Sequence, residues 1–330
     1  MGNTNSLCGS KRFPNYEKAP VGSFGNNSSH DGIKTIETVK NCSFLRKSDL
    51  CIRIITWNMN GKVSYEDLVE LVGKDRKFDL LVVGLQEAPK TNIAQLLQTA
   101  LSPTHVLLGK AKLQSIQLYL LGPKNSQTLV KELKAERHSV GGCGGLIGRK
   151  KGAVAIRINY DDIIMVFISC HLSAHANKVD KRNEELRHIS NSLLSRDKRT
   201  RDLTVWLGDL NYRIQDVPNR PVRSLIHNHL QSVLVSKDQL LQEAERGEIF
   251  EGYCEGTLGF KPTYKYNVGS SNYDTSHKVR IPAWTDRILY KIQDTENIQA
   301  TLYSYDSIDQ VNGSDHKPVK ADLSLKWIDN

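Results

Sequence analysis

A chain of 330 residues with 39% hydrophobic content is long enough for one large domain or two small ones around a substantial core. Its formal charge of +9 points to anionic partners, but phosphates, nucleic acids and acidic membranes all qualify, so charge selects none of them. The cysteines (Cys8, Cys42, Cys51, Cys143, Cys170 and Cys254) contain no Cys-x-x-Cys pair, and there is no long apolar run or secretory start. A disulfide scaffold, a membrane span and a signal peptide are therefore not expected.

In chain order, residues 1–49 read as a Gly-, Ser- and Asn-rich leader with a short strand near 33–39, and the compact domain begins close to Leu50 and runs to 330. The first six residues, Met-Gly-Asn-Thr-Asn-Ser, fit the pattern for N-myristoylation at Gly2. Cys8 is placed for a second acylation, and Lys11 and Arg12 suit an anionic membrane surface. Residues 52–56 and 80–83 read as buried strands ending near Asn58 and Glu87, with Ser64 and Asp67 as the capping box of a helix between them. Further strands are expected at 105–108, 116–120, 153–158, 163–168, 203–207, 287–291 and 319–325. Helices are expected at 179–194 and 237–246, the second capped by Ser236 and stopped by Gly247. Basic runs at 149–151, 178–182 and 196–201 read as solvated faces. The segment 252–280 has the composition of a binding loop or hairpin. The elements predict an α/β fold: two mixed sheets packed as a sandwich with helices on the outer faces. Eight regular βα units are excluded by too few, unevenly spaced helices.

Three segments carry chemistry: WLGDLNYR at 206–213, PAWTDR at 282–287 and SDH at 314–316. After an apolar strand, Gly208 lets the chain turn, and Asp209 and Asn211 alternate. A carboxylate can orient water there, and an amide can stabilise phosphoryl charge without repelling it. His316 can stabilise phosphate charge or move a proton, Asp286 can hold its tautomer, and Glu87 and Asp315 offer hard oxygens to a cation. Each segment alone would be an ordinary polar turn. Together they imply a metal-dependent phosphoesterase.

The chain resembles the inositol polyphosphate 5-phosphatases, type II-like and compact as in plant members, within the endonuclease/exonuclease/phosphatase superfamily. The resemblance spans residues 52–327 and includes both signatures, WLGDLNYR and PAWTDRIL. The supporting motifs TWNMNGK, GLQE, KGAVAI, SCHLSAH, KRN, FKPTYKY, YDTSHKVR and SDHKPV follow in family order. It implies Mg²⁺ on Glu87 with Asn58 and Asp315 nearby. It also implies water orientation or deprotonation by Asp209, phosphate contact by Asn211 and His171, and charge stabilisation by His316 paired with Asp286. Tyr264, Lys265, Lys278 and Arg280 match the region reading a neighbouring 4-phosphate, and Arg182 and Asn183 match the phosphate surround. Two departures stand out: Gly-Arg-Lys-Lys-Gly at 148–152 where the family commonly has Gly-Asn-Lys-Gly, and Thr285 where many members have Cys.

The expected reaction is Mg²⁺-dependent removal of the 5-phosphate from phosphatidylinositol 4,5-bisphosphate or 3,4,5-trisphosphate, at the cytoplasmic face of a membrane such as the plasma membrane, or in the cytoplasm without lipidation. The expected partners are a phosphoinositide headgroup and an anionic membrane surface, with no nucleic acid and no obligate protein partner. The alternatives are a soluble inositol 1,4,5-trisphosphate 5-phosphatase, a catalytically silent phosphoinositide-binding protein and a DNA-repair endonuclease.

Overall fold

The computed structural model describes residues 32–39, 49–74, 77–101, 104–140, 151–194, 201–293 and 296–328. The lipidation residues Gly2 and Cys8, and most of the Gly148 to Gly152 departure, lie outside them. The chain begins with β1 (Lys34–Ile36), β2 (Leu50–Asn58), α1 (Tyr65–Val72), β3 (Leu80–Gln86), α2 (Ile93–Leu101), β4 (His105–Leu113), β5 (Ile116–Pro123) and β6 (Val130–Ser139). It continues through β7 (Gly152–Tyr160), β8 (Ile163–His171), α3 (Val179–Leu193), β9 (Leu203–Asp209), α4 (Asn219–His227) and α5 (Gln239–Glu245). The final strands are β10 (Cys254–Gly256), β11 (Asp286–Ile292), β12 (Ile298–Ser307) and β13 (Val319–Trp327).

The strands form two sheets, one of seven in the order β1-β10-β11-β9-β8-β7-β6 and one of six in the order β12-β13-β2-β3-β5-β4. Both are mixed: β2 runs parallel to β3, β8 to β9 and β1 to β10, and the other pairs are antiparallel. The expected α/β sandwich is the architecture observed.

The two-residue side-chain period sorts each central strand into two apolar layers. Ile52, Ile54, Val82, Leu118, Phe167, Val205 and Leu207 fill the space between the sheets. Ile55, Trp57, Val83 and Leu85 point the other way, onto Leu68 and Leu71 of α1 and Leu97 of α2. On the opposite outer face Val166, Ile168 and Trp206 meet Leu186 and Ile189 of α3 and Leu240 of α5. Strands covered on both faces read as unbroken apolar runs, which is why 80–83 and 203–207 were legible.

Local signals were met with one exception. Ser64 Oγ accepts from Asp67 N at 3.0 Å to open α1. Asp238, not Ser236, caps α5 by accepting from Leu241 N at 3.2 Å. The substitution follows from charge, because Asp238 also pairs with the buried Arg287 and is fixed in place. Gly247, at φ 76°, ends that helix as a Schellman turn, with Gly247 N bonded to Ala244 O and Glu248 N to Glu243 O, both at 3.0 Å. Strands β6, β10 and β12 and helices α2 and α4 carried no expectation. The strand β6, VKELKAERHS, is charged throughout because it is a sheet edge, where lysine and glutamate oppose further pairing.

Candidate active site

Ladder register assembles the site. His171 ends β8 opposite Asp209, which ends the parallel strand β9, and Asp209 lies opposite Asp286, which starts the antiparallel strand β11. Three residues separated by up to 115 positions thereby stand in a row across neighbouring central strands at one end of the sheet. From the facing sheet Asn58 ends β2, and its Nδ2 donates to Asp209 Oδ2 at 2.9 Å. His316 enters just before β13, anchored by Trp57 Nε1 donating to its carbonyl at 3.1 Å and by Ser314 Oγ donating to Asn58 O at 2.6 Å. Gly208 has φ 150° beside Cys170, and a Cβ there would lie 2.0 Å from the Cys170 carbonyl oxygen. Only glycine permits the close strand approach that carries Asp209 to His171.

Asp209 is buried and meets His171 Nε2 at 3.2 Å. Burial alone would raise its pKa, but the hydrogen bond from His171 and the positive charge of His316 and Lys151 hold it far below the usual carboxylate range. Asp209 is therefore ionised and a weak base, suited to orienting water as an acceptor more than to storing its proton. His171 is kept neutral chiefly by burial, against the opposing pull of Asp209. The Lys151 ammonium abuts its Nε2.

His316 is also buried, which disfavours its charged form, but Asp286 outweighs that by charge and hydrogen bonding, with Asp209 and Asp315 adding to it. Together they push its pKa up to about 9. It is an imidazolium at neutral pH, with Nδ1 2.9 Å from Asp286 Oδ2. The same oxygen accepts from Thr263 Oγ1 at 2.7 Å and Thr285 Oγ1 at 2.8 Å. Asp286 is thus hydrogen-bonded to His316. The hydroxyl of Thr285 also holds that carboxylate in place.

Asp209, Asp286 and His316 each offer a ligand atom, and these atoms lie within 4.8 Å of one another. Asp286 Oδ1 is buried with no hydrogen-bond partner, a free hard oxygen of the kind Mg²⁺ takes. The cluster is positioned to coordinate a divalent ion such as Mg²⁺, with its two carboxylates as the donors while His316 is protonated. The expected ligand set was different. Asn58 is in the site but its amide nitrogen faces Asp209. Asp315 is ion-paired with Lys265 Nζ at 2.9 Å. Glu87 follows β3 directly, half-buried at φ 50°, and its carbonyl accepts from Gly61 N at 2.8 Å. Among the described residues neither Glu87 nor Asp315 belongs to a group of three such donors.

Asn211, at φ 58°, donates its backbone N–H to Asp209 Oδ1 at 3.1 Å and its Nδ2 to Leu172 O at 3.1 Å. Beside it Ala174, His175, Arg213, Ile214, Tyr264, Arg280 and Ile281 line a cleft of about 220 Å³. Tyr264 and Arg280 thus line the same cleft, Lys265 is half-buried on Asp315, and Lys278 is exposed. Asp274 shapes the loop by accepting from Ser276 N at 3.0 Å and Arg280 N at 2.8 Å.

Arg182 and Asn183 correct the sequence reading. Neither is on a solvated face or directed to a ligand. Arg182 is fully buried, donating to Ser173 O at 3.2 Å, His175 O at 2.7 Å and Gln239 Oε1 at 2.7 Å. Asn183 Nδ2 donates to Glu243 Oε2 at 2.6 Å, and its Oδ1 accepts from Tyr212 OH at 2.6 Å. Arg182 braces the 173–175 turn behind the site, and Asn183 ties α3 to α5 and to Tyr212. Arg287 is likewise internal, held by Asp238 Oδ1 at 2.8 Å and Glu255 Oε1 at 2.7 Å. Lys151 and Thr263 were missed as site residues although both lie inside quoted motifs, because their roles depend on cross-strand neighbours.

A family model described as Endonuclease/Exonuclease/phosphatase family 2 matches residues 55–322. The chain is 86% identical over 331 residues to type IV inositol polyphosphate 5-phosphatase 11 of Arabidopsis thaliana, covering 100% of this chain and 99% of that protein. Its fold matches the crystal structure of the inositol polyphosphate 5-phosphatase domain of SPsynaptojanin in complex with inositol (1,4)-bisphosphate and calcium ion. That match has a TM-score of 0.73 at 30% identity, covering 85% of this chain and 86% of that one. Cimex nitrophorin has the same fold at 22% identity, with a TM-score of 0.70 over 85% of this chain and 100% of that one; this likeness concerns architecture alone. With one site built from both signatures and a full-length relative at 86% identity, the chain belongs to the inositol polyphosphate 5-phosphatase family within the endonuclease/exonuclease/phosphatase superfamily.

Proposed function

We propose that the protein is an Mg²⁺-dependent hydrolase of the 5-phosphate of phosphoinositides, with phosphatidylinositol 4,5-bisphosphate the first substrate and the 3,4,5-trisphosphate the second. The observation that carries this reading is the convergence of His171, Asp209, Asp286 and His316 at the ends of the central strands, next to the cleft of Tyr264 and Arg280. A silent binding surface has no need of an ionised, buried aspartate against a neutral histidine. The solved relative's ligand, an inositol phosphorylated at positions 1 and 4, is what removal of a 5-phosphate would leave.

In this reading Asp209 accepts a hydrogen bond from the attacking water and aligns it on phosphorus. Asn211 Nδ2 donates to the phosphate oxygens, with His171 beside them and its N–H on Asp209, and the His316 imidazolium offsets the charge that grows on them. Asp286 keeps that imidazolium charged and oriented. The carboxylates of Asp209 and Asp286, with Glu87, Asn58 and Asp315 as the further donors the sequence offers, would hold Mg²⁺, which when bound would supply Lewis-acid polarisation of phosphate oxygens. Tyr264, Lys265, Lys278 and Arg280 read the neighbouring 4-phosphate, Lys265 by exchanging Asp315 for that phosphate.

The decisive assay presents lipid and soluble inositides in parallel with Mg²⁺ and with EDTA. Phosphate release from 5-phosphorylated lipids that stops in EDTA is expected; metal-independent release overturns the mechanism. Preferential turnover of soluble inositol 1,4,5-trisphosphate would establish the second reading, and cleavage of an abasic duplex would displace both.

The lipid reading extends to membrane attachment through myristate on Gly2, a second acyl chain on Cys8 and the nearby Lys11 and Arg12, at the cytoplasmic face of the plasma membrane. One acyl chain binds only marginally, so two signals are required. No helix among the described residues is long and apolar enough to cross a membrane. Gly2→Ala should move the protein off membranes, and unchanged membrane recovery would remove the anchor.

A further inference from the structure

Arg213 ends the 206–213 signature yet touches none of the residues that bind the ion or the water. Its guanidinium reaches back to Asn211: Nε donates to the Asn211 carbonyl at 3.1 Å, and a terminal nitrogen donates to Asn211 Oδ1. Its other contact is a face, with Cζ 4.3 Å from the centre of the Tyr264 ring. That ring lies 4.7 Å from the His316 imidazole, tilted by 42°.

An asparagine amide can be turned end for end with little change in shape, exchanging a donor for an acceptor. A guanidinium only donates and a backbone carbonyl only accepts, so Arg213 and the Leu172 carbonyl together permit one orientation of the Asn211 amide. Oδ1 is directed to Arg213, and Nδ2 lies 3.1 Å from Leu172 O with one N–H left over. The reversed amide would set two donors against each other and oppose two acceptors. Lysine could not do the same work, because a planar fork must hold two oxygens of Asn211 while its face covers an aromatic ring.

We propose that Arg213 is a positioning residue for phosphate transfer: it locks the donor polarity of Asn211 and, through Tyr264, seats the ring that lies on His316. This rests on the assignment of Asn211 and His316 to the transferring phosphate, and it adds the device that keeps a donor on one side of that phosphate and the His316 ring seated on the other.

The test is a double-mutant cycle in the full chain, measuring kcat and KM for a 5-phosphorylated inositide with Mg²⁺. Arg213→Met should lower kcat about 10²-fold with KM changed less than about threefold. Combined with Asn211→Ala it should cost clearly less than the product of the two single losses, because only the part that runs through Tyr264 remains once the amide is gone. Arg213→Lys should recover the fold's melting temperature but less than a tenth of the lost rate. Strictly additive losses, a rise in KM at constant kcat, or full rescue by lysine would each overturn the proposal. If Arg213→Met does not fold, the Arg213→Lys and Asn211→Ala cycle reports the same coupling. Asn211→Ala with full activity would instead overturn the assignment of Asn211 itself.

Discussion

His316 Nδ1 and Asp286 Oδ2 stand 2.9 Å apart with the carboxylate fully buried, so a positive charge is stored at the ends of the central strands before any phosphate arrives. The folded imidazole holds its proton up to about pH 9, above the roughly 6.5 of an unfolded histidine. The pair's stabilisation is therefore complete below about pH 6.5 and is lost as pH rises through about 9. By the size of that shift it amounts to about 3 kcal/mol at most. Denaturant unfolding in EDTA should show the difference between the native chain and His316→Asn shrinking across that window. A difference that stays level from pH 6 to pH 10 would contradict the pair.

Asp209→Asn should reduce kcat by about 10²- to 10⁴-fold, the range for a group that handles the attacking water. The change keeps the shape but removes the charge that His171, Asn58 and the Asn211 N–H address. Circular dichroism and melting should show a folded protein. Full turnover in that protein would reject the role.

Arg287→Met should cost about 3–5 kcal/mol, because Asp238 and Glu255 would be left buried without their cation. Glu255 also accepts from Tyr305 OH at 2.7 Å, so the loss extends into the second sheet. Urea titration measures it. A shift below about 1 kcal/mol, the range of exposed ion pairs, would show the network to be solvated.

Gly208→Ala should prevent β8 and β9 from pairing at Cys170, where the added carbon would fall 2.0 Å from a backbone oxygen. Low soluble yield, or a folded protein with kcat reduced through displacement of Asp209, is expected. Normal yield with normal kcat would mean that the strands separate there without consequence.

Much of this was written in the sequence. Unbroken apolar runs marked the central strands because those strands are covered on both faces, and Ser64 and Gly247 marked the start of one helix and the end of another; Gly208, read as a turn, instead lies within β9, where its missing side chain lets β8 come close. The edge strand β6 was hidden because its stability comes from the ladder to β7, not from its own charged residues. The helix α5 was read with the wrong cap, since Asp238 is held there by Arg287 from another strand.

The same division runs through the site. The sequence by itself determined the family, the two-sheet fold and the residue types at the strand ends, because those are properties of local pattern and motif order. Only the tertiary structure decided that Asp209 and Asp286 share a cluster with His316, and that Arg182 and Asn183 face inward. It also decided that Asp315 is paired with Lys265. Charge state and partner depend on burial and on which strands become neighbours, and neither is set until the sheets close.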